Sequence, residues 1–153
     1  MEIHQKQKYY FTALSNRTKS WYINPHIRFL DLEANIEIAQ SLLKQNKFQE
    51  SIDTCNEILA TDNNSIDALK LIAKSYLATK KIEDARFYLN KALTLKTDDY
   101  ELIQDLGNTY QVMGDIKTAK NYYQKAIAIN SSYAPALTNL GSIELNTSNK
   151  QEA

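Results

Sequence analysis

The stretch LGNTYQVMGDIKTAKNYYQKAIAIN, from Leu106 to Asn130, decides the fold. Its apolar residues recur every three or four positions on each side of Gly114 and Asp115, which is the spacing of two amphipathic helices joined by a turn. Gly114 ends the first helix, and the Asp115 carboxylate can accept a backbone N–H bond at the start of the second. Each helix alone would leave an apolar face in water, so the hairpin requires a covering element of similar shape.

The chain supplies that element by repeating itself every 34 residues. Five positions of the hairpin align in three copies. They are Leu106, Tyr110, Ala119, Tyr123 and Ala126 in the quoted hairpin, and Ile72, Tyr76, Ala85, Leu89 and Ala92 in the copy 34 residues earlier. One period earlier again they are Ile38, Leu42, Ser51, Cys55 and Ile58. The copies are Leu32–Ser65, Ile66–Asp99, Tyr100–Tyr133 and a partial fourth, Ala134–Ala153, in which Leu140-Gly141 aligns with Leu106-Gly107. A fixed period in this range predicts one helical hairpin stacked on copies of itself.

In the third copy the pattern predicts helices from about Tyr100 to Met113 and from about Ile116 to Ala128. Gly107 and Ala119 fall where the two helices would approach most closely. A larger side chain at Gly107 would push the helices apart, so we predict that Gly107→Leu lowers stability.

The residues Leu106–Tyr110, Ala119, Tyr123 and Ala126 resemble the tetratricopeptide repeat in spacing and type, and the resemblance covers Leu32 to Ala153. It implies an all-α fold, a right-handed α-solenoid of stacked helix-turn-helix hairpins. The chain departs from the family pattern at three kinds of position. The aromatic residue expected early in the first helix is replaced by Asn35, Leu69, Ile103 and Leu137, and the proline expected at the repeat end by Asn63, Thr97 and Ser131. In the first copy, Ser51 and Ile58 stand where small residues are usual.

Composition excludes several classes of function. Eighteen basic residues balance eighteen acidic ones, so no net charge attracts nucleic acid. No apolar run is long enough to span a bilayer and the N-terminus lacks the plan of a secretory signal, so the default compartment is the cytoplasm. One cysteine and two histidines, far apart in the chain, provide no zinc site, and we expect no metal or other cofactor.

No catalytic constellation is evident. His4 and His26 both lie before the first copy, and no nucleophile motif or glycine-rich phosphate loop accompanies them. Cys55 occupies a core position where Leu89 and Tyr123 stand in the next copies, which predicts a buried structural thiol. We therefore predict that this chain itself is not an enzyme.

The resemblance implies a binding surface instead. In the family, ligands lie along the first helices, at the second, fifth, ninth and twelfth positions of each repeat. In the first copy those positions are Glu33, Ile36, Gln40 and Leu43, and in the second they are Asp67, Lys70, Lys74 and Leu77. In the third copy they are Glu101, Gln104, Asn108 and Gln111, and in the fourth they are Pro135, Thr138, Ser142 and Leu145. Lys70 and Lys74, one helical turn apart, suit a carboxylate or phosphate, so their joint change to Glu is expected to abolish binding of an acidic peptide. The three amides of the third copy suit a peptide backbone.

Two narrower resemblances fail. The carboxylate clamp of chaperone-binding members does not match, since Lys70 and Lys74 are followed by Asp105 and then by Pro135 and Asn139. The asparagine ladder of some glycosyltransferase repeat arms is also missing. Its sixth position holds Glu37, Leu71, Asp105 and Asn139.

The two ends are less regular. Residues 1–31 are rich in aromatic side chains, which predicts either a cap on the first copy or a docking segment for a partner. Within them, Met1–Asn16 is predicted to form a helix and Trp21–Pro25 an extended or turned segment. Near the other end, Asn149 is predicted to cap a second helix whose first turn is residues 151–153. So short a helix is unstable alone, so we expect the chain to be part of a longer protein. The alternative is a natural stop, with the first helix of the fourth copy packing on the third copy through Leu137, Leu140 and Ile143 and serving as a cap.

Three hypotheses of function follow. The first is a protein-interaction scaffold that binds an extended peptide or a partner helix in its groove. The second is the repeat arm of a longer enzyme, for example a glycosyltransferase or sulfotransferase, with the catalytic domain beyond Ala153. The third is end-to-end self-association through the incomplete fourth repeat.

Overall fold

The computed structural model describes residues 25–151, with side chains from 32 to 147. The chain divides into two compact units, residues 1–33 and 34–153. The interpretations of Met1–Asn16 and of residues 21–24 lie outside the described part. Seven α-helices occupy the described residues: α1 Pro25–Lys44, α2 Phe48–Thr61, α3 Ile66–Ala78, α4 Ile82–Leu95, α5 Tyr100–Val112, α6 Ile116–Ile129 and α7 Ala134–Gln151. None of these seven is long and apolar enough to cross a membrane.

Each helix from α2 to α6 packs on the next one in the chain, so consecutive hairpins stack on one another. The two helices predicted for the third copy are confirmed to within one residue at each end. Asp115 caps α6, because its Oδ1 accepts the backbone N–H of Thr118 at 3.0 Å. The all-α helical repeat solenoid predicted from the periodicity is therefore the observed fold.

The turn inside each complete hairpin uses one left-handed residue at the same place. Asn46, Lys80 and Gly114 have φ values of 61°, 60° and 83°. Glycine adopts this conformation without steric cost, and asparagine tolerates it better than most residues. Lys80 carries a Cβ that opposes this conformation, so there the packing of α3 on α4 sets the turn.

The structure corrects the prediction for the fourth copy. We placed a turn before Asn149, but α7 continues without interruption from Ala134 to Gln151. The position equivalent to Gly114 is Ser148, which does not favour the left-handed turn. No second helix follows within the described residues to offset the cost of turning, so the first helix extends instead.

The core follows the repeat register. Eleven of its fully buried residues lie at positions that the repeat register predicted to face inward: Ile58, Ile72, Ala85, Leu89, Ala92, Leu106, Ala119, Tyr123, Ala126, Cys55 and Ser51. Leu89 and Ala92 of α4 pack with Leu102 and Leu106 of α5, so one cluster joins the second copy to the third. Ala126 of α6 packs in the same way with Ala136 of α7.

Gly107 packs tightly against side chains of α6, in agreement with the prediction that a larger residue there would push the two helices apart. A Cβ built on Gly107 would lie 2.6 Å from Cε1 and 2.8 Å from Cδ1 of Tyr123. It would also lie 3.2 Å from Cβ of Tyr122. Only glycine allows this ring to lie against the helix backbone.

Ser51 departs from the small-residue pattern because its hydroxyl joins two helices. Its Oγ is buried and donates to the carbonyl oxygen of Ala39 on α1 at 2.8 Å. In the next two copies Ala85 and Ala119 hold this position, so alanine fits the space.

We predict that Ser51→Ala lowers the free energy of unfolding by about 1 kcal/mol through loss of this hydrogen bond. Urea unfolding followed by circular dichroism measures the change. The control is Ser75→Ala, since the buried Ser75 hydroxyl donates only within its own helix, to the carbonyl of Leu71 at 3.0 Å. Alanine favours the helix and offsets that loss, so Ser75→Ala is expected to be close to neutral. Equal losses in the two variants would contradict the inter-helix role of Ser51.

Candidate functional site

We define the first-helix face as the predicted groove positions on α1, α3, α5 and α7, together with the sixth position of each copy. The structure leaves some of the predicted residues exposed: Glu33, Gln40, Asp67, Lys74, Pro135, Thr138, Ser142 and Leu145. Others are half-buried: Ile36, Leu43, Lys70, Leu77, Glu101, Asn108 and Gln111. Gln104 is buried, with 6% of its surface exposed, and its Oε1 lies 3.5 Å from the hydroxyl of Tyr133.

Lys70 does not project freely from this face. Its Nζ donates to Oε2 of Glu101 and lies 3.6 Å from Oδ2 of Asp99. Only 15% of its side chain is exposed. Burial alone would lower the pKa of Lys70, but the hydrogen bond to Glu101 and the carboxylates around it outweigh burial and raise that pKa. The ammonium group is therefore held between two acidic side chains of the chain itself.

Asp99 connects this ion pair to the backbone. As the N-cap of α5, its Oδ1 accepts the N–H groups of Glu101 at 3.0 Å and of Leu102 at 3.2 Å. Lys96 Nζ lies 3.4 Å from its Oδ2. Burial acts to raise the pKa of Asp99, yet the Leu102 hydrogen bond and the charges of Lys70 and Lys96 outweigh it and lower that pKa. Asp99 thus stays ionised and anchors Lys70.

Asp105 has a different environment, one turn further along α5. It is half-buried, and within residues 32–147 it makes no hydrogen bond and no ion pair through its carboxylate. Burial raises its pKa to about 6, against the smaller opposing effect of Lys74 and Lys70. Asp105 thus lies between α3 and α5 under the influence of Lys74 and Lys70, with no bonded partner for its carboxylate in the part of the chain whose side chains are described.

A polar network lies further along the first-helix face, between α5, α6 and α7. The hydroxyl of Tyr123 lies 2.9 Å from Oδ1 of Asn108 and 2.6 Å from Oε1 of Gln111. Nδ2 of Asn139 on α7 also donates to Oδ1 of Asn108, at 2.9 Å. The oxygens of Asn108 and Gln111 are therefore already engaged inside the fold, and their amide N–H groups are the part left for a ligand.

A cleft of about 370 Å³ opens where α3 and α5 begin. Its lining combines charged and apolar side chains: Ile66, Asp67, Lys70, Lys96, Asp99, Tyr100 and Glu101. The ring of Tyr100 is held in place by an edge contact with Tyr133, with 4.7 Å between the ring centroids. The cleft thus has a fixed aromatic wall and a charged rim of three carboxylates and two ammonium groups.

The sequence interpretation missed Asp99, Asp105 and Tyr123 as parts of this surface. Asp99 lies outside the family's ligand positions, although a helix-capping residue just before Tyr100 was the available signal. Asp105 entered the sequence analysis only as a residue that breaks the carboxylate clamp and the asparagine ladder. Tyr123 was assigned to the core, which is correct for its ring, but its hydroxyl reaches the first-helix face through Asn108.

Cys55 is a free thiol with no exposed surface. Burial raises its pKa to about 12, so the thiolate form is disfavoured at neutral pH. This environment agrees with the structural role predicted from its register.

Family models described as tetratricopeptide repeat match residues 42–109 and residues 100–133. The second match coincides with the third copy as defined by the internal period. Comparison with curated protein sequences gives no match.

Several solved structures share this fold. The TPR domain of Sgt2 from Aspergillus fumigatus superposes with a TM-score of 0.72 at 17% identity, over 88% of this chain and 87% of that one. The second TPR domain of human RPAP3, in complex with the HSP70 peptide SGPTIEEVD, has a TM-score of 0.68 at 19% identity, over 79% and 98%. A mutant O-GlcNAc transferase of Thermobaculum terrenum has a TM-score of 0.69 at 18% identity, over 73% of this chain and 22% of that one.

Proposed function

This chain belongs to the tetratricopeptide repeat family, and on that premise we propose that it is a non-enzymatic scaffold that binds an extended peptide or a partner helix along its first-helix face. One observation carries the proposal. The groove positions of α3, α5 and α7 present a polar surface whose members are fixed by bonds between copies, such as Lys70 to Glu101 and Asn139 to Asn108. A surface held in place before binding reduces the entropy lost when a partner is ordered on it.

The structural relatives support this use of the fold. The human RPAP3 domain is described with an HSP70 peptide bound, and its repeats superpose on those of this chain. The partner of this chain is a separate question, because the clamp residues of chaperone-binding members are not present at the matching positions.

Photo-crosslinking tests the proposed face. A peptide recovered from a random phage library panned on the whole chain is the probe. Benzoylphenylalanine is placed at Thr138, on the first-helix face, and at Asn121, an exposed residue of α6, as the matched control. We expect covalent labelling from Thr138 and little from Asn121. Equal labelling from the two positions, or a library that yields no binder, would contradict a groove-binding scaffold.

A second candidate is the repeat arm of a longer enzyme. The Thermobaculum terrenum transferase favours it, since this chain superposes on a region that covers 22% of that protein. The genomic reading frame downstream of Ala153 tests it. An encoded transferase domain in the same frame would support this candidate, and a stop codon directly after Ala153 would exclude it.

End-to-end self-association through the fourth copy stays a prediction. The two residues of α7 that bear on it, Leu137 and Leu145, are 44% and 69% exposed. Sedimentation velocity over a range of concentrations tests it, because a single monomeric species throughout would remove the hypothesis.

A further inference from the structure

The electrostatics between α3 and α5 favour a cationic ligand over an anionic one. Four carboxylates and three ammonium groups line this region: Asp67, Asp99, Glu101 and Asp105; Lys70, Lys74 and Lys96. Two of the three ammonium groups are neutralised within the chain, because Lys70 pairs with Glu101 and both Lys70 and Lys96 pair with Asp99. In this region, three charged groups form no ion pair with another described residue: the carboxylates of Asp67 and Asp105 and the ammonium group of Lys74.

This balance reverses what the sequence alone suggested for Lys70 and Lys74. A peptide carboxylate that approached Lys70 would have to displace Glu101 from a bonded position and would meet Asp99 behind it. Like charges placed together without a new partner cost free energy, so an acidic segment is disfavoured here. Lys74 alone remains as an accessible positive charge on α3.

Asp105 favours a cationic ligand at this surface. Its carboxylate is half-buried and makes no ion pair within residues 32–147, although the charges of Lys74 and Lys70 act on it from α3 and that of Glu101 from one turn before it. Burial of an unpaired carboxylate is unfavourable, and residues held at such a cost concentrate at functional sites. A cationic group placed on Asp105 would relieve that cost and form a charge-assisted hydrogen bond.

The adjacent cleft suits a basic side chain as well. Lysine and arginine have a long apolar stem that packs along apolar surface and a cationic end that remains at polar groups. Ile66 and the ring of Tyr100 offer the apolar wall, and Asp67 and Glu101 stand at the rim. The face of a tyrosine ring also attracts a cation.

We propose that the surface between α3 and α5 binds an extended partner segment rich in lysine or arginine, with one basic side chain pairing with Asp105 and another lying in the cleft beside Tyr100. This inference rests on the proposed scaffold function and specifies the chemistry of its partner.

Panning and charge reversal test it together. Peptides recovered from the random phage library on the whole chain are expected to be enriched in basic over acidic residues. A synthetic copy of the tightest binder is then titrated against Asp105→Asn, Asp105→Lys and the control Asp84→Asn, which removes an exposed charge from α4. We expect affinity to fall about tenfold or more for Asp105→Asn and further for Asp105→Lys, with no change for Asp84→Asn.

Exchanging the two charges tests whether the basic residue of the peptide pairs directly with Asp105. A peptide in which the critical lysine is replaced by glutamate should bind Asp105→Lys better than it binds the parent chain. Recovery of acidic or uncharged peptides that still label from Thr138 would overturn the charge preference and leave the scaffold function standing. If basic peptides bind equally to the parent and both Asp105 variants, Asp105 is not the anchor. Failure to recover any peptide would count against the scaffold function itself.

Discussion

Gly107→Leu is expected to lower the free energy of unfolding by about 2–4 kcal/mol, because the new side chain overlaps a fixed aromatic ring. Its Cβ alone would meet Tyr123 at 2.6 and 2.8 Å, well inside van der Waals contact. The ring cannot move aside cheaply, since Tyr123 is fully buried and its hydroxyl is bonded to Asn108 and Gln111. Urea unfolding of the parent and the variant measures the difference.

Gly141→Leu is the matched control. Gly141 holds the same repeat position in α7, yet a Cβ there would meet no atom within 4 Å. Leucine also favours the helix over glycine, by about 0.5–1 kcal/mol, so Gly141→Leu is expected to be neutral or stabilising. A loss of similar size in both variants would show that helix geometry in general, and not the contact with Tyr123, makes glycine necessary.

Hydrogen exchange locates the damage from Gly107→Leu. In a stacked array each hairpin contacts only its neighbours, so disruption of the third copy should spread to the adjoining helices, α4 and α7. We expect faster exchange in α5 and α6, a smaller increase in α4 and α7, and little change in α2 and α3. Uniform acceleration over residues 34–147 would instead mean that the array unfolds as one cooperative unit.

The fold was predictable from the sequence because the repeat fixes it several times over. Leu106, Ala119 and Tyr123 each have counterparts 34 residues earlier, and an error in one copy is corrected by the others. Helix ends in the third copy follow from Gly114 and Asp115, whose conformational and capping preferences are local properties. Local chemistry and long-range packing agree at these positions.

The prediction failed where local signals and packing disagree. Asn149 looked like a helix cap, but a cap defines a helix only if the new helix has something to pack against, and α7 continues through it. Lys80 shows the converse, since packing of α3 on α4 holds a lysine at a φ of 60° that its own preference opposes. Neither outcome can be read from the residue alone.

The candidate site was only partly predictable for a similar reason. Periodicity identifies which residues face away from the core, and it placed Lys70, Lys74 and Thr138 on the first-helix face. It does not show which charges are already paired. The bond from Lys70 to Glu101 joins residues 31 positions apart, and it depends on how two hairpins stack. Charge availability is thus a property of the assembled array.

Asp105→Asn is expected to raise the free energy of unfolding by about 1–3 kcal/mol at pH about 7.5. Burial raises the pKa of Asp105 in the folded chain to about 6, above its ordinary value of 3.8. The folded state therefore favours the protonated acid, and the charged form present at neutral pH is destabilising. The amide is neutral and has the same shape, and Asn139 already occupies this position in the fourth copy.

The pH dependence distinguishes this cause from a simple packing gain. Because the folded pKa is the higher one, the stabilising effect of protonation is complete below pH about 4 and is lost as pH rises through about 6. The advantage of the variant should therefore be small near pH 4 and should grow to its full size above pH 7. The charged or titratable groups near Asp105 are Lys70, Lys74, Asp99, Glu101, Tyr123 and Tyr133. They are present in both proteins, so their own titrations largely cancel in the difference.

Stability and binding should then move in opposite directions at this one position. If Asp105 is retained to bind a basic segment, Asp105→Asn yields a more stable chain that binds that segment more weakly. Urea unfolding and peptide titration of the same samples test the two halves together. An unchanged free energy of unfolding would show that the Asp105 carboxylate is well solvated and is not destabilised by burial. A stabilised variant with unchanged affinity would show that the cost is real but that the basic segment does not use Asp105.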